Sequence, residues 1–185
     1  MQKSSHHTLT SRERVTVAVA TIAGMLFGYD LCVIAGALDL IKEAFDLGTM
    51  EEELVVSSVL AGAVVGSLVG GFQAEARGRK PVIVAFTVLF LAGALIMAFA
   101  PTFSVLIAGR VVVGIAVGGS GMSVPVYLAE LAPASVRGLV VALNEVMICA
   151  GCLLAIVSDA VLQHATNGWR LMLGLAAVPA ALQLV

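Results

Sequence analysis

An all-α bundle that crosses a lipid bilayer six times is the fold class this sequence predicts, and three observations predict it. Of the 185 residues, 60% are hydrophobic and only 12% charged, about half the roughly 25% charged share of an ordinary soluble domain. The charges are also segregated, leaving charge-free runs at Leu54–Ala74, Pro81–Gly109, Val111–Ala129, Val146–Ser158 and Leu171–Val185. Most of these runs are near the ~20 residues that a spanning helix needs. A soluble fold of this size exposes too much of its area to hide so much apolar surface. Disorder is excluded too, because it combines low hydrophobicity with high net charge. A formal charge of −2 with ten basic residues argues against a nucleic-acid partner.

The elements follow in order. The first span is expected over about 15–38, since Val15–Leu38 is interrupted only by Asp30. This run is too long for a signal-peptide h-region and lacks a clean small-residue exit site. Residues 1–14 form an N-terminal tail, with Thr10 and Glu13 spaced as a capping box ahead of the helix. The acidic stretch Asp46–Glu53 leads into a second span over 54–74, and Glu75–Lys80 into a third over 81–100. Pro101–Thr102 separates the third from a fourth over 103–128, and a fifth covers 138–160. The sixth, 170–185, is short. Leu171–Val185 is about 22 Å of helix against a hydrocarbon core of about 30 Å, so this span is expected to be truncated.

Orientation comes from lysine and arginine, which are in excess in cytoplasmic loops. The tail, the second loop and the fourth hold Lys3, Arg12, Arg14, Arg77, Arg79, Lys80 and Arg137, while the opposite loops hold only Lys42 and Arg170. The N-terminus is expected on the cytoplasmic side.

Several small patterns are explained by packing. Gly62, Gly66 and Gly70 on the second span, and Gly114 and Gly118 on the fourth, form small-xxx-small stripes that let helices approach closely in lipid. Gly118-Gly-Ser-Gly121 is no nucleotide fingerprint, because no strand precedes it. It resembles the serine motif of rhomboid intramembrane proteases, but that chemistry needs a general base beside the serine, and Leu171–Val185 contains no histidine. Cys149-Ala-Gly-Cys152 lies in an apolar helix, where cysteine serves as a small apolar filler. His6, His7 and His164 lie outside the spans without a ligand cluster. No enzyme activity, metal or cofactor is expected.

The charges left inside the spans carry the functional signal. A charge at the bilayer centre costs at least ~2.5–3.5 kcal/mol, so such residues face a cavity or pathway. Asp30 and Arg110 each lie about eight residues, or ~12 Å, from the outer ends of their spans. Their similar depth and opposite sign allow a buried pair. Glu145 lies about seven residues, or ~11 Å, from the inner end of the fifth span, not level with the other two.

A family resemblance joins these residues. Gly28-Tyr-Asp30 with Gly36-Ala-Leu38, Gly109-Arg110 with Gly114, Pro125-Val-Tyr127 with Glu130 and Pro133, Arg137-Gly138, and Gly168-Trp-Arg170 together resemble the sugar porters of the major facilitator superfamily. Arg137 to Glu145 resembles the class III animal glucose transporters, and Gly168 to Pro179 the proton–myo-inositol cotransporters. The resemblance implies twelve spans in two six-span halves with substrate at their interface. Twelve spans need about 240 residues of helix, so the chain is expected to be an N-terminal half, with a C-terminal half as partner. Departures from the family pattern are Ala76 at a usually basic position, Glu145 in place of a sugar-contacting glutamine, and Cys152 in place of a second glutamine found in some members.

The resemblance implies secondary transport of a sugar or polyol by alternating access, coupled to protons, in the plasma membrane. Asp30 and Arg110 are the expected coupling pair; facilitative relatives tend to carry asparagine at the Asp30 position. Phe27, Glu145 and Ile148 are the candidate substrate contacts. Arg79, Glu130 and Arg137 are expected to form a charge cluster at the inner gate. A glutamate near a helix C-terminus is disfavoured by the macrodipole, so Glu130 calls for a basic partner. The competing reading is a truncated, non-transporting half that only associates with other membrane proteins.

Overall fold

A computed structural model describes residues 11–165 and 167–184 of the chain. These residues form seven helices: α1 (Ser11–Phe45), α2 (Thr49–Arg77), α3 (Arg79–Ala98), α4 (Phe103–Leu131), α5 (Arg137–Leu162), α6 (Gly168–Leu175) and α7 (Ala177–Gln183). Five of them, α1 to α5, are long and apolar enough to cross a bilayer. The expected capping box at Thr10 and the tail residues 1–10 lie outside the described residues, whereas residues 11–14 belong to α1.

The helices run past the apolar windows that predict them, because backbone hydrogen bonding continues where side chains have already turned polar. α1 extends to Phe45 through the exposed residues Asp39, Lys42 and Glu43. The acidic stretch expected to be a loop becomes the first turn of α2, where carboxylates are favoured by the helix dipole. The Gly48 backbone N–H donates to Glu51 Oε2 at 2.9 Å, satisfying a donor at the helix start. Lys42 Nζ meets Glu52 Oε1 across this turn at 2.6 Å. Between α2 and α3 a single residue breaks the helix. Gly78 has φ 85° and ψ 163°, a region open essentially to glycine alone.

The sixth span differs most from expectation. Instead of one helix over 170–185, the chain forms α6 and α7 with a break at Ala176. Pro179 explains it. Proline has no N–H for the carbonyl four residues earlier, that of Leu175, and its ring clashes there.

Two close helix pairs organise the bundle: α1 packs along α5, and α2 along α4, with α3 against the other side of α4. The glycine stripes set the second pair. A Cβ on Gly66 would collide with the Ile115 carbonyl, and one on Gly118 with the Ala63 carbonyl. A Cβ on Gly70 would sit 2.7 Å from Gly119 Cα. These backbones touch, which maximises dispersion contact where lipid offers no hydrophobic drive between helices. On the other pair, Gly24, Gly28 and Gly151 do the same between α1 and α5.

Apolar side chains fill two buried clusters. The larger contains Tyr29, Val33, Ile41, Phe90, Met97, Leu106, Trp169 and Met172. The smaller contains Val17, Ile83, Val124, Leu128 and Val140. Outside them, α2 presents Leu60, Val64 and Leu68 at 60–63% exposure. Such a continuous apolar exterior is stable only against lipid or another apolar surface.

Candidate functional site

Asp30 on α1 and Arg110 on α4 meet in the bundle interior. Arg110 Nη1 donates to Asp30 Oδ1 at 3.1 Å, and each side chain is 2% exposed. The equal depths inferred from the spans are therefore a contact. Its geometry is incomplete, because Asp30 Oδ2 and Arg110 Nε and Nη2 have no hydrogen-bond partner. A guanidinium can present two parallel N–H groups to a carboxylate, and here it uses one. Burying both ions costs several kcal/mol each, and their attraction offsets this only with good geometry and further hydrogen bonds.

The neighbouring Tyr29 ties α1 to two other helices. Its hydroxyl donates to the Met172 carbonyl at 2.8 Å and lies 3.0 Å from Ser158 Oγ. Cys152 Sγ reaches the Gly28 carbonyl at 3.2 Å, a packing role consistent with its reading as filler. Asp159 packs against Gly36 with Oδ1 unpaired. It lies at the end of the span expected over 138–160 and is half-buried.

A cavity of about 270 Å³ opens between α1, α3, α4, α5 and α7. This is close to the ~300–1,000 Å³ typical of small-molecule sites. Phe27, Glu145 and Ile148, the candidate substrate contacts, all line it. Phe27 stands one helical turn before Asp30, so cavity and ion pair share one stretch of α1. Glu145 is exposed rather than buried. It borders the cavity on α5 and is not enclosed by the described helices.

Two polar residues of the cavity escaped the sequence reading. Asn144 and Gln183 line it and are 4% and 6% exposed. Both are uncharged, so a search for interrupted charge-free runs passes over them. The signal that could have found them is an amide inside an apolar run.

At the other end, Arg79 grips Glu130. Nη2 donates to Oε1 at 3.0 Å and Nε to Oε2 at 3.4 Å. Arg79 opens α3 and Glu130 ends α4, so the pair fastens two antiparallel neighbours. The expected three-residue cluster is not assembled. Arg137 borders the same surface depression as Glu130, yet forms no ion pair among the described residues. Arg137 opens α5, and the Glu130 carboxylate is already engaged by the Arg79 fork. On the opposite side Arg170 donates to the Ala100 carbonyl at 2.8 Å and lies 4.8 Å from the centre of the Trp169 ring.

The profile described as sugar (and other) transporter matches residues 16–185. The chain belongs to the sugar transporter family. It is 42% identical over 177 residues to the arabinose-proton symporter of Escherichia coli (strain K12), covering 95% of this chain and 37% of that one. It is 44% identical over 169 residues to the probable inositol transporter 2 of Arabidopsis thaliana, covering 90% and 29%. Among solved structures, the inward open conformation of the xylose transporter XylE from E. coli superposes with a TM-score of 0.85 at 29% identity, covering 93% of this chain and 46% of that one. The fold is that of a major facilitator half-bundle, and the chain is an integral membrane protein of a transporter family. It spans 29–38% of the length of the relatives that match first.

Proposed function

We propose that this chain is the N-terminal six-span half of a secondary transporter that moves a sugar or polyol by alternating access, driven by protons. The observation that carries the reading is a fully buried, half-satisfied Asp30–Arg110 pair one helical turn from a polar-edged cavity. Polyhydroxylated ligands need a mainly apolar pocket with a few convergent donors and acceptors, and Phe27, Glu145 and Ile148 fit those roles.

Protonating Asp30 neutralises it and releases its hold on Arg110. The guanidinium can then swing its free Nε and Nη2 to other acceptors, which biases the packing of α1 against α4. A second six-span half would complete the site and rock against this one. At the cytoplasmic face Arg79 and Glu130 would latch the closed inner gate, with Arg137 recruited as α5 moves. The N-terminus would be cytoplasmic, residues 1–14 would form the tail, and the plasma membrane is the fitting location for uptake. The protein would carry its substrate unchanged, without enzyme chemistry.

The test is uptake of radiolabelled myo-inositol, L-arabinose and D-xylose into proteoliposomes containing the full-length protein, under an inward proton gradient. Accumulation that a protonophore abolishes is the expected result. Absence of uptake for all three overturns the proposal.

A further inference from the structure

The cavity contains a polar group that neither the ion pair nor Glu145 accounts for. Gln183 closes α7, is 6% exposed, and lines the cavity; both its Nε2 and its Oε1 lack a hydrogen-bond partner. Buried side-chain amides are almost always paired, so an amide with both ends free beside an open volume is unusual. Asn144, 4% exposed on α5, borders the same volume with Oδ1 unpaired. Other orphaned side chains such as Ser123 and Trp169 do not border this cavity.

Backbone chemistry brings Gln183 there. The one-residue interruption at Ala176, itself in right-handed helical geometry, lies one turn before Pro179 and carries the chain from α6 into α7. α7 packs on α1 and α3, two walls of the cavity. On α4, Pro125 offers no N–H to the carbonyl of Gly121, and both residues line the cavity.

We propose that Gln183, together with Asn144, is a specificity-determining ligand of this cavity that takes a pair of adjacent hydroxyls on a cyclic polyol or sugar. A carboxamide places donor and acceptor side by side. A vicinal diol presents the complement, one oxygen accepting from Nε2 and the neighbouring hydroxyl donating to Oε1. Asn144 Oδ1 would accept from a further hydroxyl. A site built to hydrogen-bond a substrate hydroxyl rejects the analogue lacking it, because its buried polar atoms are then left unpaired. The proposal rests on the reading of the cavity as a polyol site.

The experiment measures transport by the full-length protein in proteoliposomes, with myo-inositol, D-xylose and L-arabinose and their single-deoxy analogues. Its readout is the ratio of KM for each deoxy analogue to KM for its parent. Wild-type protein should show a large ratio for at least one deoxy position. Gln183→Met, nearly isosteric but unable to hydrogen-bond through an amide, should raise the parent KM about tenfold as two hydrogen bonds are lost, and bring that ratio close to one. A Gln183→Met protein with the wild-type parent KM and ratios overturns the proposal. Should this variant fail to reach the membrane, Gln183→Asn is scored by the same ratio, and wild-type ratios overturn the proposal there too. If wild-type protein transports none of the parents, the polyol reading itself fails, and this assignment with it.

Discussion

Replacing Asp30 by asparagine separates the charge of the buried pair from its shape. The carboxamide keeps an oxygen where Oδ1 accepts from Arg110 Nη1 at 3.1 Å, so the guanidinium retains its single partner. Truncation to alanine removes that partner, leaving a cation with 2% exposure and no acceptor, a loss of about 3–5 kcal/mol. Asp30→Asn should therefore assemble in the membrane far better than Asp30→Ala. It resembles the protonated carboxyl permanently, and so cannot report a proton gradient. With one proton per substrate, a one-unit inward pH gradient is worth about 1.4 kcal/mol, or a tenfold accumulation. In proteoliposomes holding the full-length protein, wild type should approach that ratio and Asp30→Asn should remain near one. Exchange of labelled for unlabelled substrate, which needs no net proton movement, should persist in the variant. Gradient-driven accumulation by Asp30→Asn, with the pH dependence of wild type, refutes the assignment of the proton to this residue.

Glu145→Ala should raise the KM for substrate roughly tenfold or more, the value of one hydrogen bond to a charged group, with normal amounts in the membrane; an unchanged KM removes Glu145 from the substrate contacts. Exchanging the partners as Arg79→Glu with Glu130→Arg should restore cysteine-labelling of the inner cavity toward the wild-type pattern that either single reversal shifts to the open state. Because the pair is solvent-accessible, it adds little to stability, so a loss of protein rather than a shift in labelling argues against a gate. Gly66→Ile should separate α2 from α4, since its Cβ meets backbone at Ile115; overpacking of this kind costs about 1–3 kcal/mol, and a lowered Tm in detergent is the measurement. The same change at Gly71, whose Cβ would meet nothing within 4 Å, should leave Tm unchanged.

The five long apolar helices, their order and the pairing of Asp30 with Arg110 were legible in the sequence, because each follows from where charges interrupt one apolar run. Hydropathy is a local sum and needs no partner. The glycine stripes likewise announced close helix contact, though not which helices meet. Three features lay beyond that reach, each depending on what lies across an interface. Glu145 has a charge that marks it in the sequence, but only the arrangement of five helix segments makes it a cavity wall. Gln183 and Asn144 are neutral, so nothing in a charge pattern distinguishes them, and their significance is that no neighbour pairs with them. Arg137 carries the charge that a cluster around Glu130 calls for, but the pairing went to Arg79 because α3 begins beside the end of α4. Sequence determines what each helix can tolerate around it. The packing of backbones on glycine then decides which side chains face one another, because direct backbone contact between helices sets their rotation and register, and no single segment contains that information.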